Sequence, residues 1–343
     1  MDLTPELQER GVYQSIGAWY SGNYAMLTPP ISPKENMLRY FAKKDYCWIP
    51  DGAYDQVDVA PDINPDLAAS GYSGGIDSFG VKWVALENGL PAMVEPGHPL
   101  LEDITDWRSL KLPDVSSWDW EGYAKRFPNA LTDERYVRGK IPCGFFERLI
   151  SLMDVEEAAV ALVTEPEEVY EFFGKLADMN VSLVEHYKKY LNADGVMLHD
   201  DWGSQRAPFF SLNTVRELIM PHLKRVVDRA HELGMHFTFH SCGNGLDLAP
   251  AMIEAGIDAW QFQENAVDLK KAKELYGDKI VFETFWDVPA EMDDEAAQQH
   301  ITAAIRRVAG DHRGIPAFYD FSDSHSFDLR KFMYCEERRM IAQ

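Results

Sequence analysis

Cysteine is scarce in this chain: the four residues Cys47, Cys143, Cys242 and Cys335 are scattered over 343 positions. That spacing excludes the dense disulfide framework of a small secreted domain and makes reduced thiols the expectation. Basic residues are also few, 33 Lys and Arg against 56 Asp and Glu, a net charge of −23. Such a surface repels phosphate backbones and anionic membranes, which excludes nucleic acid as a partner. No apolar run approaches the roughly 18 residues of a membrane span. The opening Met1-Asp2-Leu3-Thr4-Pro5-Glu6 lacks a basic, then apolar, leader pattern. A cytoplasmic protein with no membrane partner is therefore expected. Low-complexity segments and fixed-period repeats are missing too. So is a Gly-x-Gly-x-x-Gly turn after a strand, since Cys242-Gly243-Asn244-Gly245 does not supply one; this argues against a doubly wound dinucleotide fold.

What is present is a globular balance, 46% hydrophobic and 26% charged residues. The second half of the chain alternates strand-like runs with helical stretches, the sign of a parallel α/β architecture. Gly195 to His199 precedes a helix from about Asn213 to Leu233, stopped by Gly234. His236 to His240 precedes Leu246 to Gly256. Ala259 to Gln263 precedes a helix capped by Asp268 and ended at Gly277. Ile280 to Trp286 precedes a helix from about Asp294 to Ala309, and Pro316 to Phe321 precedes a C-terminal helix through Arg339. Tyr46 to Ile49, Phe79 to Val84 and Val137 to Pro142 are candidates for the earlier strands, which makes eight. The pattern predicts one (β/α)8 barrel domain over residues 1–343, with residues 1–44 as an N-terminal helical extension. The Pro-, Asp- and Trp-rich stretch from Gly89 to Trp120 is longer than a usual connection, which points to function or packing rather than a linker.

Barrel enzymes carry their chemistry at the C-terminal ends of strands. Side chains alternate along a strand, so His240 and Cys242 point the same way at such an end. An imidazole nitrogen and a thiolate suit zinc, which also takes carboxylates and keeps one position open in catalytic sites. Asp323, His325, Glu264, Glu283 and Cys335 are candidates for a third ligand, although Cys335 is placed on the C-terminal helix, where packing explains it. The competing reading makes His240 a core hydrogen-bonding residue and Cys242 a small buried one.

One strand earlier, His199-Asp200-Asp201-Trp202-Gly203-Ser204-Gln205 again ends a strand, with His199 and Asp201 on one face. Asp200, Asp201 and Glu283 are candidate acids or orienting carboxylates. His199, Trp202, Gln205 and Gln263 are candidate substrate contacts. Among the aromatics Phe145, Phe146, Trp202, Phe285 and Trp286, the expectation singles out Phe146, Trp202 and Trp286 as walls for a flat apolar substrate. Core packing is the alternative role for each.

Several segments together resemble the uroporphyrinogen decarboxylase superfamily. They are Ser32-Pro33-Lys34-Glu35-Asn36-Met37-Leu38, Gly144-Phe145-Phe146-Glu147-Arg148-Leu149, Asp200-Asp201-Trp202-Gly203-Ser204-Gln205 and His240-Ser241-Cys242-Gly243. The chain looks closer to the corrinoid-dependent methyltransferases that demethylate methoxylated aromatics such as veratrol than to the decarboxylase, whose arginine-rich N-terminal motif is not visible. The resemblance implies a (β/α)8 barrel and methyl transfer to or from the cobalt of a corrinoid on a separate protein, since this chain has no Asp-x-His-x-x-Gly cobalamin signature. It also implies zinc held by His240 and Cys242. The related branch has a cysteine near the last strand where this chain has Ser322, Asp323, Ser324 and His325.

The function expected is thus O-demethylation of a small methyl donor, a methoxylated aromatic, with a corrinoid protein as partner and a homodimer among the open assembly states. The alternatives are a metal-free decarboxylase of an acidic substrate, with Arg148 and Arg206 as receptors, and a non-catalytic ligand-binding barrel.

Overall fold

Arg138 and Lys140 lie two residues apart on one extended segment and so point to the same side, while Val137 and Ile141 point to the other. The apolar side meets a shell of helices; the charged side meets the interior of a curled parallel sheet. The computed structural model describes residues 1–13, 24–71, 73–87, 91–126, 134–318 and 325–342. Within them, seven parallel strands lie side by side in chain order. These are β1 (Gln56–Val59), β2 (Tyr136–Ile141), β3 (Gly195–His199), β4 (His236–His240), β5 (Ala259–Phe262), β6 (Val281–Trp286) and β7 (Gly314–Phe318). The Gly52 amide donates to the Pro316 carbonyl at 2.8 Å, so the chain just ahead of β1 reaches the far edge at β7. The result is the expected TIM-like α/β fold.

The helices obey the same logic of one buried stripe. In Pro166–Leu191 the buried positions Val169, Phe172, Phe173, Leu176, Ala177, Asn180, Leu183, Val184, Tyr187 and Leu191 recur at spacings of three and four. Pro166 sits in the first turn, where its missing N–H costs nothing, and Asn192 ends the helix with left-handed φ 49°. The expected helix after β3 is present as Leu212–Thr214, a π turn at Val215–Ile219 and Met220–Glu232; the wider turn lies just ahead of Pro221, which has no N–H to offer the helix. Asp268 caps Leu269–Tyr276 through the Lys271 amide at 3.1 Å, as its position predicted. Among the described residues no helix is both long and apolar enough to cross a membrane.

The early strands differ from expectation. Tyr46 to Ile49 is not a strand: the Asn36 side chain takes the Cys47 amide at 2.7 Å and gives to the Trp48 carbonyl at 3.0 Å, so a side chain replaces ladder partners. Phe79 to Val84 is not in the barrel either. One oxygen of Asp77 accepts from the Phe79 and Val81 amides, each at 2.9 Å, and folds that run into a turn. Only Lys82–Val84 is extended, within a small antiparallel sheet with Gly75–Ile76 and Met93–Val94. The true first strand carries Gln56 and Asp58 inward to the charged interior. Among the described residues of 1–44 there is one helix, Pro33–Phe41, after a pairing of Val12–Tyr13 with Tyr24–Ala25.

Candidate active site

Strand register places a row of polar side chains across the barrel. His199 lies beside His240, His240 beside Gln261, and Gln261 beside Glu283. The two imidazoles stack at 4.4 Å with planes 28° apart. Beyond them the loops after β3 and β4 meet backbone to backbone. Gly243 has φ +76°, and a Cβ there would fall 1.9 Å from the Gly203 carbonyl oxygen, so glycine is required for this contact. The Asn244 amide donates to the Ser204 carbonyl at 2.8 Å and zips the loops together.

Below this row the interior is ionic rather than apolar. The guanidinium of Arg138 bonds Asp58 through Nε at 2.7 Å and Nη2 at 2.9 Å, and Glu283 through Nη1 at 2.7 Å. Lys140 adds a contact to Asp58 at 3.2 Å. Glu283 accepts from the Gln261 amide nitrogen, which turns the Gln261 carbonyl oxygen toward His240 Nδ1 at 2.7 Å. A carbonyl oxygen can only accept, so His240 carries its proton on Nδ1 and leaves an Nε2 lone pair. That nitrogen lies 3.2 Å from Cys242 Sγ and 3.9 Å from Asp201 Oδ1.

Asp201, His240 and Cys242 each offer a ligand atom, all within 4.8 Å of one another. Burial holds both His199 and His240 below the usual imidazole value, so both are neutral at neutral pH. Burial and the carboxylates of Asp201 and Glu147 push the Cys242 thiol up. A divalent cation would reverse that balance, since a coordinating thiol gives up its proton. One oxygen, one nitrogen and one sulfur fit zinc with a fourth position open.

This trio opens into a cavity of about 1300 Å³ at the C-terminal mouth. Its walls include Trp83, Phe209 and Phe285, and its floor includes Lys140, Glu147, His199 and Gln261. Phe285 lies 6.0 Å from the His240 ring. Burial and the nearby Asp201 and Asp200 carboxylates raise Glu147 well above the usual range, holding it neutral. Its Oε2 is buried with no hydrogen-bond partner.

Not all predicted residues gather here. His199, Asp201, His240, Cys242 and Gln263 line the cavity. Asp200 turns away: fully buried, it accepts from the Glu147 amide at 2.8 Å and Trp202 Nε1 at 2.9 Å. It caps the helix Phe146–Met153 from outside, and burial raises its pKa to about 6. Trp202 packs on Phe239, Phe146 on Phe209 and Phe210, and Trp286 on Phe318, all as core. None of the three aromatics singled out as walls lines the cavity; of the five considered, Phe285 alone does. Gln205 reaches the Asn265 carbonyl, and Glu283 is engaged by Arg138 and Gln261. His325 sits 3.5 Å from Asp294 at the start of Asp294–Ala309, outside the ligand trio; Asp323 lies outside the described residues. The donor beside His240 and Cys242 is Asp201, expected as an acid rather than a ligand. Sequence reasoning also missed Glu147 and Gln261. Inward alternation on β5 signals Gln261, whereas Glu147 lies on a helix start and has no such mark.

Residues 143–283 match the uroporphyrinogen decarboxylase (URO-D) family. The matched segment runs from Cys143 to Glu283 and contains Glu147, Asp201, His240, Cys242 and Gln261. Among solved structures, a methyltransferase from Methanosarcina mazei is similar at TM-score 0.65 and 14% identity, covering 91% of this chain and all of that one. An endo-β-1,4-xylanase from Gloeophyllum trabeum aligns at TM-score 0.42 and 10% identity over 67% of this chain and 83% of that one. No curated protein matches the chain. The Methanosarcina likeness establishes the fold; the URO-D match covers the stretch that carries Asp201, His240 and Cys242.

Proposed function

We propose that the protein moves a methyl group from a methoxylated aromatic to the corrinoid of a separate protein. The observation that carries this reading is the Asp201, His240 and Cys242 donor set at the floor of an aromatic-walled cavity. The site residues fit zinc, and bound zinc would supply Lewis-acid polarisation at the substrate oxygen. In the transfer, the O–CH3 bond breaks, its electron pair stays on the aryl oxygen, and the methyl carbon bonds to the nucleophilic reduced cobalt of the partner. The chain's own residues then govern the leaving oxygen. Glu147 presents a neutral carboxyl to the cavity and can deliver its proton to the phenolate as charge develops. Trp83 and Phe285 hold the ring, and His240 keeps a fixed tautomer through Gln261.

The decarboxylase reading finds less support. Arg148, its best receptor, is buried and paired to Asp77 at 2.5 Å and Asp66 at 3.0 Å, with its guanidinium 4.3 Å over Phe79. Among the described residues no arginine lines the cavity, and Lys140 in its floor is paired to Asp58, so a polycarboxylate would find no guanidinium there.

The test is the purified protein with free cob(I)alamin and 1,2-dimethoxybenzene, following methylcobalamin by absorbance and the phenol by chromatography. Both products should form together and be lost in His240→Ala. Failure of both, with this arene and a panel of other methoxyarenes, overturns the reading.

A further inference from the structure

Charge in the cavity wall sorts what can enter it. Lys140 is committed to Asp58 at 3.2 Å, and the other basic side chains of the lining are the exposed His98 and two imidazoles inside the site, His199 and His240, which stack on each other. Of the acids, Glu95 is paired to Lys82 at 2.5 Å and Glu264 to Arg307 at 3.0 Å. Asp154 and Glu156 stand exposed at the cavity wall without a cationic partner in any described ion pair.

Helix starts are the other usual receptors for anions, and here both are filled. Asp154 accepts from the Glu156 amide at 3.0 Å and the Glu157 amide at 3.1 Å, closing the start of Val155–Thr164. Asp200 closes Phe146–Met153 in the same way. Among the described residues, a substrate carboxylate lying away from the donor trio would therefore meet no uncommitted lysine or arginine and no free helix start, and would face carboxylates. A cation meets those carboxylates, and the aromatic residues Trp83, Phe209 and Phe285 line the same cavity, where a ring face would attract positive charge.

We propose that the donor is a methoxyarene bearing an ammonium group, its ring in the aromatic part of the cavity and its charge toward Asp154 and Glu156. This deepens the methyl-transfer reading and rests on it. Calorimetry on the intact protein with three probes of one ring pattern tests it: 3,4-dimethoxyphenethylamine, 3,4-dimethoxytoluene and 3,4-dimethoxyphenylacetate. The amine should bind tightest and the carboxylate weakest. Glu156→Gln with Asp154→Asn, which keeps the helix cap, should weaken the amine roughly three- to thirtyfold and leave the toluene unchanged. Equal or tighter binding of the carboxylate overturns the proposal, as does indifference of the amine to the two substitutions, or no binding by any probe. Methyl transfer to cob(I)alamin is scored separately. Transfer from the carboxylate donor alone sinks this inference and spares the reading, whereas ammonium-selective binding with no transfer from any donor does the reverse.

Discussion

His240 Nδ1 and Gln261 Oε1 lie 2.7 Å apart, and that contact decides which imidazole nitrogen faces Cys242 and Asp201. Turning the Gln261 amide over would set its oxygen against the Glu283 carboxylate, acceptor against acceptor, so the Glu283 contact fixes the amide with its oxygen toward His240. The tautomer is thus set two side chains away from the ligand atoms. Gln261→Leu should lower Co(II) or Zn(II) affinity by about 10- to 100-fold, the usual effect of losing such a partner. Competition with a chromophoric chelator measures it, and the Co(II) absorption bands report whether the thiolate still binds. Unchanged affinity would show that the ring is held by its stack on His199 alone.

Glu147 separates proton delivery from metal holding. Glu147→Gln keeps the shape and removes the transferable proton, so demethylation should fall by about two to four orders of magnitude while metal content stays the same. The loss should shrink as the leaving phenol is made more acidic, because a better leaving group needs less protonation. A loss independent of leaving-group acidity would reassign Glu147 to positioning.

Arg138 holds two buried carboxylates, Asp58 and Glu283, by direct ion pairs. Arg138→Met should cost about 3–5 kcal/mol, because it strands buried charge rather than because the pairs themselves contribute so much. The urea midpoint measures the loss. Replacing Asp58 and Glu283 by Asn and Gln in the same chain should recover part of it.

The later strands were legible because each is a short apolar run closed by a glycine or an acidic cap, as in His236–His240 followed by Gly243. The first strand was not, because its inward residues serve the ionic interior: Gln56 and Asp58 read as loop. For the site, alternation correctly put His240 and Cys242 on one face, and strand ends put His199 and Asp201 near them. Alternation also set Asp201 on the face of His199 and Asp200 on the other, as the structure has them. That Asp200 is taken up by the helix start at Phe146 was not legible, because that helix comes from a distant part of the chain. The aromatics failed for a related reason, since Phe146, Trp202 and Trp286 stand at strand ends and helix starts yet point outward into the helical layer.

Asp51 gives a pH signature away from the cavity. It is fully buried, its Oδ1 accepts from Ala53 and Tyr54 amides at 2.6 and 2.9 Å, and its Oδ2 has no partner. Burial is the main cause that raises its pKa to about 7, with Asp55 adding to it and Arg330 opposing it. Glu337, also buried near Arg330, is raised well above its usual value. A carboxyl with a folded value above its unfolded one binds a proton more tightly when folded. Its stabilising contribution is therefore complete below about pH 4 and is lost as pH rises toward 7. Asp51→Asn places an uncharged amide in the same space, so its denaturant midpoint should fall less steeply between pH 4 and 7 than that of the native chain. The other raised carboxyls, Glu337, Glu147 and Asp200, contribute to the remaining slope, and adding Glu337→Gln should flatten it further. A slope that Asp51→Asn leaves unchanged would mean that Asp51 is ionised throughout this range, with Arg330 outweighing burial.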